Sequence, residues 1–376
     1  MRARQLTFIG LLILFSTLVF ASPSREQPVS SDRPTQRIGK TVSIQFNYDS
    51  AQAVLALFDR KTVTDAELAS MAKLPGNQRL IQQAGRFDPG ATEKAFKESL
   101  KEAVETGVVA NDPFHFSEVK KSLTVTRSLL HQVENDPAAL KGAVTTSIED
   151  NTPPGLDMHA TVYFVVGGTS DGFALGNTFC VALHFFQGDY LGLKLLMTHE
   201  LYHIAQNALL PTDSTASTVT PPANIAACTD LLSSTFNEGT ATWIADPLEI
   251  SGGGAYLDFF RNKYQKNLMR IGGDFTLFDT LLYRLYSDPQ ADETQIYDLG
   301  FTGIWDSPLY FVGYQMSKII AKYEGRAAVT TLVGKNPALF FNRYIHLARL
   351  HKDDPDVVLL SASSEKIISE IERAAK

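Results

Sequence analysis

The stretch LGLKLLMTHELYHIAQNALL, residues 191–210, decides the reading of this chain. It is leucine-rich and free of proline, and it is long enough for a helix of several turns. Inside it stands Thr198-His199-Glu200-Leu201-Tyr202-His203. Four residues is just over one turn at ~3.6 residues per turn, so His199 and His203 lie on one face, one above the other. Two imidazoles so placed can grip a zinc ion at ~2.0–2.1 Å, and Glu200 beside the first can serve as general base to an activated water. The competing reading, two buried histidines with no metal, requires a hydrogen-bond partner for each imidazole.

A catalytic zinc centre takes three protein ligands and keeps one position open. The extended pattern with glycine three residues and a third histidine six residues after the second is absent, because Gln206 and Leu209 occupy those places. The next candidate is a carboxylate on a following helix. Phe236-Asn237-Glu238-Gly239-Thr240-Ala241-Thr242-Trp243-Ile244-Ala245-Asp246 supplies Glu238 among small and apolar neighbours, where a carboxylate is buried and needs a partner. Gly239 and Ala241 are expected to let this helix approach the first one closely. Asp213, Asp230, Asp246 and Glu249 compete as ligands, and Asp246 could instead hold an imidazole N–H.

Working outward, Asn151-Thr152-Pro153-Pro154-Gly155 breaks the chain into two styles. Residues 49–150 read as a helical N-terminal region, with a capping signature at Thr64-Asp65-Ala66-Glu67. After the break, His159–Val166 and Asn177–Phe186 read as strands joined by a Gly-rich connection. Beyond the central helix, Pro211–Asn224 is a polar loop. The rest is mostly helical, with segments near Leu231–Ala245, Leu257–Lys266, Leu309–Tyr323, Ala328–Val333, Pro337–His351 and Ser363–Ala375. The expected class is α+β, predominantly α-helical, with a small mixed or antiparallel sheet. His184 alternates with apolar residues in the second strand and reads as structural, Tyr202 reads as packing, and His115 and His131 as isolated surface histidines.

The N-terminus has Arg2 and Arg4, an apolar run from Leu6 to Phe20, and a small-residue exit at Val19 and Ala21. This is the layout of a cleaved signal peptide over residues 1–21, followed by a flexible leader over residues 22–48. The apolar run is short beside the ~20 residues of a membrane span, so no stable span is expected after cleavage. Export, to the periplasm or the extracellular space, is the corresponding expectation. It leaves open whether Cys180 and Cys228 form a disulfide or stay as buried thiols. Two cysteines are too few for a thiolate zinc module, and a net charge of −7 argues against nucleic-acid binding through a basic surface. A composition of 44% hydrophobic and 20% charged residues suits a folded core.

The pair His199-Glu200-x-x-His203 and Asn237-Glu238-Gly239-x-Ala241 resembles the gluzincin group of zinc metallopeptidases, over roughly residues 155–325, and most nearly the exported bacterial zinc-dependent peptidases of that type. The resemblance implies a zincin-like catalytic core within residues 151–376, zinc as cofactor, a peptide or protein substrate and Glu238 as third ligand. It also implies that Asn177–Phe186 is the edge strand above the active helix, with Gly176 and Asn177 at its start meeting substrate by strand addition. A tyrosine in a Tyr-x-x-Gly setting would stabilise the oxyanion. Tyr310 matches that position in Ser307-Pro308-Leu309-Tyr310-Phe311-Val312-Gly313-Tyr314, and Tyr314 lies one turn on. Two departures stand out. The Gly-x-Met-Glu-Asn motif of the aminopeptidases is missing, and Thr242 replaces the thermolysin-type Asp four residues after the ligand Glu. The reading of another class is a catalytically silent zinc module that binds peptides or cell-envelope partners, against which the intact Glu200 speaks.

Overall fold

The computed structural model describes residues 39–210 and 223–374. The expected signal peptide, most of the leader, Asp213 and most of the Pro211–Asn224 loop lie outside the described residues. Strand β1 (Thr41–Asn47) comes first. Seven helices follow: α1 (Asp49–Leu57), α2 (Asp65–Ala72), α3 (Pro75–Phe87), α4 (Glu93–Glu105), α5 (Phe116–Lys121), α6 (Leu123–Asn135) and α7 (Pro137–Asp150). Then come β2 (Asp157–Val165), β3 (Gly172–Leu175), β4 (Thr178–Ala182), α8 (Tyr190–Ala208) and α9 (Ala223–Ile244). The chain continues through α10 (Ala255–Met269), α11 (Ile271–Ser287), α12 (Glu293–Phe301), α13 (Pro308–Glu324), α14 (Arg326–Thr330), α15 (Pro337–Leu350) and α16 (Ala362–Ala374). A mostly helical chain around one small mixed sheet is the expected α+β class.

The sheet corrects two expectations. Its order is β1-β2-β4-β3, with β1 and β4 parallel to β2 and β3 antiparallel to β4. Residues 41–47 of the leader expected over residues 22–48 are therefore strand. Val42, Ile44 and Phe46 alternate with polar residues in β1, the period-2 pattern of a half-buried strand, which a polar composition conceals. The second correction concerns the strand expected over Asn177–Phe186. Its extended part stops at Ala182 and lies inside the sheet, paired on both sides, so it is not an edge. All five of its residues are buried, as befits an interior strand. Gly176 and Asn177 form the exposed turn of the β3–β4 hairpin, and Gly176 takes the left-handed φ of +59° that such a turn requires. The edge on that side is β3, which the glycines around it disguised as a loop.

Residues beyond the would-be strand, Leu183–Phe186, form a 3-10 turn. There the buried His184 accepts a hydrogen bond at Nδ1 from the Gly167 N–H, at 3.3 Å. Cys180 in β4 and Cys228 in α9 are both buried free thiols, and burial pushes each up to about 12. No boundary in the core appears at residue 151. β1 pairs with β2 across it, and one continuous set of buried side chains runs from Ile44 to Ile371.

Helix α8 is buried nearly all round, every residue from Gly192 to Gln206 except Lys194 being inside. It packs on β2, β3 and β4, and against α7, α9 and α10. Asp189 caps it, accepting from the Gly192 N–H at 3.0 Å with one carboxylate oxygen. The other oxygen accepts from the Leu257 N–H at 2.9 Å, in the first turn of α10. One side chain thus ties the starts of two helices together. Midway along α8, the Tyr202 hydroxyl donates to the Asn151 carbonyl at 2.8 Å and pins the chain break to this helix.

Helices α9 and α13 touch backbone to backbone. A Cβ on Gly239 would lie 2.2 Å from the Gly313 Cα, and one on Gly313 would lie 2.1 Å from the Thr235 carbonyl oxygen. Gly239 was expected to serve the approach of α9 to α8. Its contact is with α13 instead.

Gly313→Ala should separate α9 from α13 and cost about 3 kcal/mol, since backbone cannot step aside as a side chain can; urea denaturation reads this directly. A second expectation concerns pH. Burial holds His184 down to about 3, so the unfolded chain, with its imidazole near ~6.5, binds the proton first. Stability should therefore fall as pH drops from about 6.5 toward 3, and His184→Asn should flatten that part of the profile.

Candidate metal centre

Helix geometry brings His199 and His203 together as expected, with ring centroids 4.8 Å apart and planes at 85°. Their Nε2 atoms face each other at 3.2 Å. Glu238 arrives from α9, and its Oε2 lies 3.4 Å from His199 Nε2 and 3.2 Å from His203 Nε2. All three side chains are buried. Among the described residues, no other group of three or more His, Cys, Asp or Glu side chains converges in this way.

These distances test whether the group fits a metal. Bonds of ~2.0–2.1 Å to a tetrahedral ion put neighbouring ligands ~3.3–3.4 Å apart. The three observed edges match one face of that tetrahedron and leave the fourth corner open. The polar atoms also need something there. Two imidazole nitrogens facing each other offer one good hydrogen bond at most, and Glu238 Oε2 is buried without a hydrogen bond of normal geometry. One cation among the three would satisfy them all. The residues fit zinc.

Charge compensation is visible already. Burial acts to raise Glu238, but the His203 and His199 imidazoles outweigh it and hold the carboxyl well below the usual range. Burial works against a charged His203, yet the Glu238 carboxylate raises it to about 9. Burial lowers His199.

Gln206 supports the centre from the position where the extended histidine motif would have glycine. Its side-chain oxygen lies 2.8 Å from His203 Nδ1. Its amide N–H groups donate to the Asn237 carbonyl at 3.0 Å and to Thr240 Oγ1 at 2.8 Å, both on α9. An amide oriented this way accepts from Nδ1–H, which leaves Nε2 as the ring nitrogen available to a metal ion. This bracket ties a histidine on α8 to the backbone beside the glutamate on α9. Asp246 does not take the role suggested for it. One of its oxygens accepts from the Tyr314 hydroxyl at 2.6 Å, and the other accepts from the Leu248 N–H at 2.8 Å.

That contact also separates the two tyrosines. Tyr314 is committed to Asp246, whereas the Tyr310 ring lies parallel to His199, at 6.1 Å and 5°. Burial, followed by the Glu238 carboxylate, keeps Tyr310 well above the ordinary phenol range. Glu200, one residue past His199, is buried, and burial pushes it up to about 8; His203 opposes this while Glu238 and Asp171 add to it. Gly176 and Asn177 are accounted for by the hairpin turn, and β3 is the strand of that hairpin that lies at the sheet edge and packs on α8.

Three residues near the centre escaped the sequence reading. Asp171, at the start of β3, is buried and accepts from the Tyr256 hydroxyl of α10 at 2.5 Å. Burial raises it. Lys263, also on α10, lines a pocket together with His199 and Tyr310. Burial pulls it down to about 8 against the opposing pull of Asp306, Asp171 and Glu238. None belongs to a motif. A lysine in the mostly apolar stretch Tyr256-Leu257-Asp258-Phe259-Phe260 to Tyr264 was a faint signal at best.

Fold and site together define a mostly helical α+β protein with a preformed His-His-Glu metal centre between two buried helices. The chain belongs to the family described as "Putative zinc dependent peptidase (DUF5700)", whose model matches residues 68–353. The match spans the expected boundary at residue 151 and includes all three donors. No curated protein and no solved structure matches the chain. Zinc is thus the cofactor that both the family and the donor set indicate, and a peptide or protein is the substrate class that the family indicates.

Gln206→Leu removes the acceptor for His203 Nδ1–H and frees the imidazole to rotate. Zinc affinity should fall about 10–100-fold, as measured by competition with a chromogenic chelator. Unchanged affinity would show that packing alone orients His203.

Proposed function

We propose that this chain is an exported zinc metallopeptidase of the gluzincin type, acting in the periplasm or outside the cell. The observation that supports this most is the triangle of buried donors spaced as a tetrahedral face, with Glu200 next to it on the same helix. In this reading residues 151–376 supply the zincin-like core and residues 49–150 a helical region fused to it through the sheet. Among the described residues, no helix is long and apolar enough to cross a membrane.

His199, His203 and Glu238 would hold the ion. The chemistry it supplies when bound is Lewis acidity, which polarises a peptide carbonyl and acidifies water. Glu200 takes a proton from the attacking water and delivers it to the leaving amine. A carboxyl whose affinity for protons lies near neutrality can do both. Tyr310 keeps its proton at physiological pH, so its hydroxyl can donate to the carbonyl oxygen as negative charge develops. Strand addition, first expected at Asn177–Phe186, moves in this reading to the sheet edge β3, whose antiparallel pairing to β4 lies against α8.

Elemental analysis of the purified protein should find zinc. Glu200→Gln should keep the metal and lose hydrolysis by about 10²-fold or more, because the base is gone while the ligands remain. Glu238→Ala should lower zinc loading. Full activity in Glu200→Gln would sink the mechanism, and unchanged metal content in Glu238→Ala would remove that residue from the ligand set.

A further inference from the structure

Tyr310 stands in the first turn of α13, and its hydroxyl reaches the Glu238 carboxylate. The Gly239–Gly313 contact fixes α13 one turn further along, so the start of the helix is held from its other side. That start has an unusual backbone. Asp306 and Ser307 both take left-handed φ, +64° and +53°, in succession and without a glycine. Such a conformation is disfavoured for residues with a Cβ, and two in a row persist only where surrounding contacts impose them. The 3-10 turn just before, Gly303–Trp305, buries no side chain, and Ile304 and Trp305 are exposed. Apolar packing of that turn is therefore not what imposes them.

One face of α10 does so. Lys263, Lys266, Asn267 and Arg270 follow one another at helical spacing, and all of them bond to the segment from Trp305 to Ser307. Lys263 Nζ donates to Ser307 Oγ at 3.3 Å. Lys266 Nζ pairs with Asp306 Oδ2 at 2.6 Å, and Arg270 pairs with the same oxygen at 3.3 Å. The Asn267 amide donates to the Asp306 carbonyl at 3.3 Å, and a second Arg270 nitrogen donates to the Trp305 carbonyl at 3.3 Å. The stripe is tied together in turn. Asn267 Oδ1 accepts from Arg270 at 2.6 Å, and Asp274 Oδ1 stands 3.4 Å from the guanidinium. An exposed ion pair such as Lys266–Asp306 contributes little alone, but bonds converging on one short segment restrict it together. Ser307 passes the hold on to Tyr310. It is fully buried, and its carbonyl accepts from the Tyr310 N–H at 3.2 Å. The Lys263 ammonium lies 6.0 Å from the Tyr310 ring centroid as well.

Building on the peptidase reading of the centre, we propose that this face of α10 is a clamp that positions Tyr310, with Asp306 as its central residue. Held in the left-handed pair, the chain enters α13 at the angle that presents the phenol to the substrate's carbonyl oxygen. Released, Asp306 and Ser307 relax toward ordinary backbone. The first turn of α13 then shifts while the Gly239–Gly313 contact keeps the rest of the helix in place. Glycine would adopt the same φ freely, but it would leave the junction, and with it the phenol, unfixed. Asp306, Lys266, Asn267 and Arg270 are positioning residues, which act through Tyr310 and touch no reacting atom.

The test follows Tyr310 directly. The zinc-loaded full-length protein is labelled with 3-fluorotyrosine, and the fluorine NMR signal lost in Tyr310→Phe identifies that residue among the thirteen tyrosines. Asp306→Ala removes the pairs with Lys266 and Arg270. It should shift or broaden the Tyr310 signal and leave those of Tyr264 and Tyr314 where they are. Asp306→Asn, which still accepts hydrogen bonds and tolerates left-handed φ, should restore most of the original signal. Lys266→Met, at an exposed position, should act in the same direction to a smaller degree and guards against a folding defect in the first variant. Zinc content should be unchanged throughout. With labelled casein as substrate, Asp306→Ala should lower kcat about 10- to 100-fold at unchanged KM. It should have no further effect in a Tyr310→Phe background, where the group it positions is gone. A Tyr310 signal unmoved in both Asp306→Ala and Lys266→Met overturns the clamp whatever the activity. So does a fall in kcat of equal size with and without the Tyr310 hydroxyl, or an unchanged kcat beside a moved signal. If the unaltered protein hydrolyses nothing, the peptidase reading fails, and the signal alone decides the clamp.

Discussion

Two imidazole nitrogens and a carboxylate oxygen meet at 3.2–3.4 Å inside an apolar interior, and much of the surrounding structure serves to keep them there. Burying such groups is expensive because each loses water, and the attraction between Glu238 and His203 is what offsets that loss here. A divalent cation reverses the balance. The arrangement is therefore suited to a binding site, and the scaffold has to hold it against desolvation. Three devices do so. Gln206 links His203 to the backbone beside Glu238. The Gly239–Gly313 contact fixes α9 against α13, and so fixes Glu238 relative to Tyr310. Asp189 fastens the start of α8 to the start of α10, the helix that carries Tyr256 and Lys263.

The same interior spreads the proton affinities of its side chains. Burial raises Glu200 and Asp171, lowers His199 and Lys263, and is outweighed by partners at Glu238 and His203. A cluster of titratable groups with affinities pushed in opposite directions is what acid–base chemistry near neutrality needs. By contrast, His184 and the two cysteines are buried singly in apolar surroundings, where the same desolvation keeps them neutral and inert.

How much of this could be read from the chain depends on how local each feature is. His199, Glu200 and His203 are linked by a single helical turn, so their spacing in sequence is their spacing in space. Glu238 was legible less directly, through small and apolar neighbours that implied burial. The glycine beside it was rightly singled out as a close contact, but the helix it meets is α13 rather than α8. Tyr310 and Tyr314 lie one turn apart, so their spacing could not tell which hydroxyl is taken up elsewhere, and only the structure shows that Tyr314 donates to Asp246. The edge strand was misplaced for a related reason. Strand order is a property of pairing, and a four-residue strand among glycines gives almost no local signal.

By itself, then, the sequence determined the helical metal-binding motif, the α+β class and the kind of chemistry on offer, because these follow from short-range periodicity and from which atoms can donate to a metal. The tertiary structure decided what meets that motif. It brought Glu238 to the third corner, gave His203 its Gln206 bracket, made β3 the edge, and set Lys263 and Asp171 beside the centre. Those outcomes depend on how helices cross and strands order themselves over separations of tens of residues. There a backbone contact such as Gly239 on Gly313, invisible in either segment alone, settles which side chains face one another.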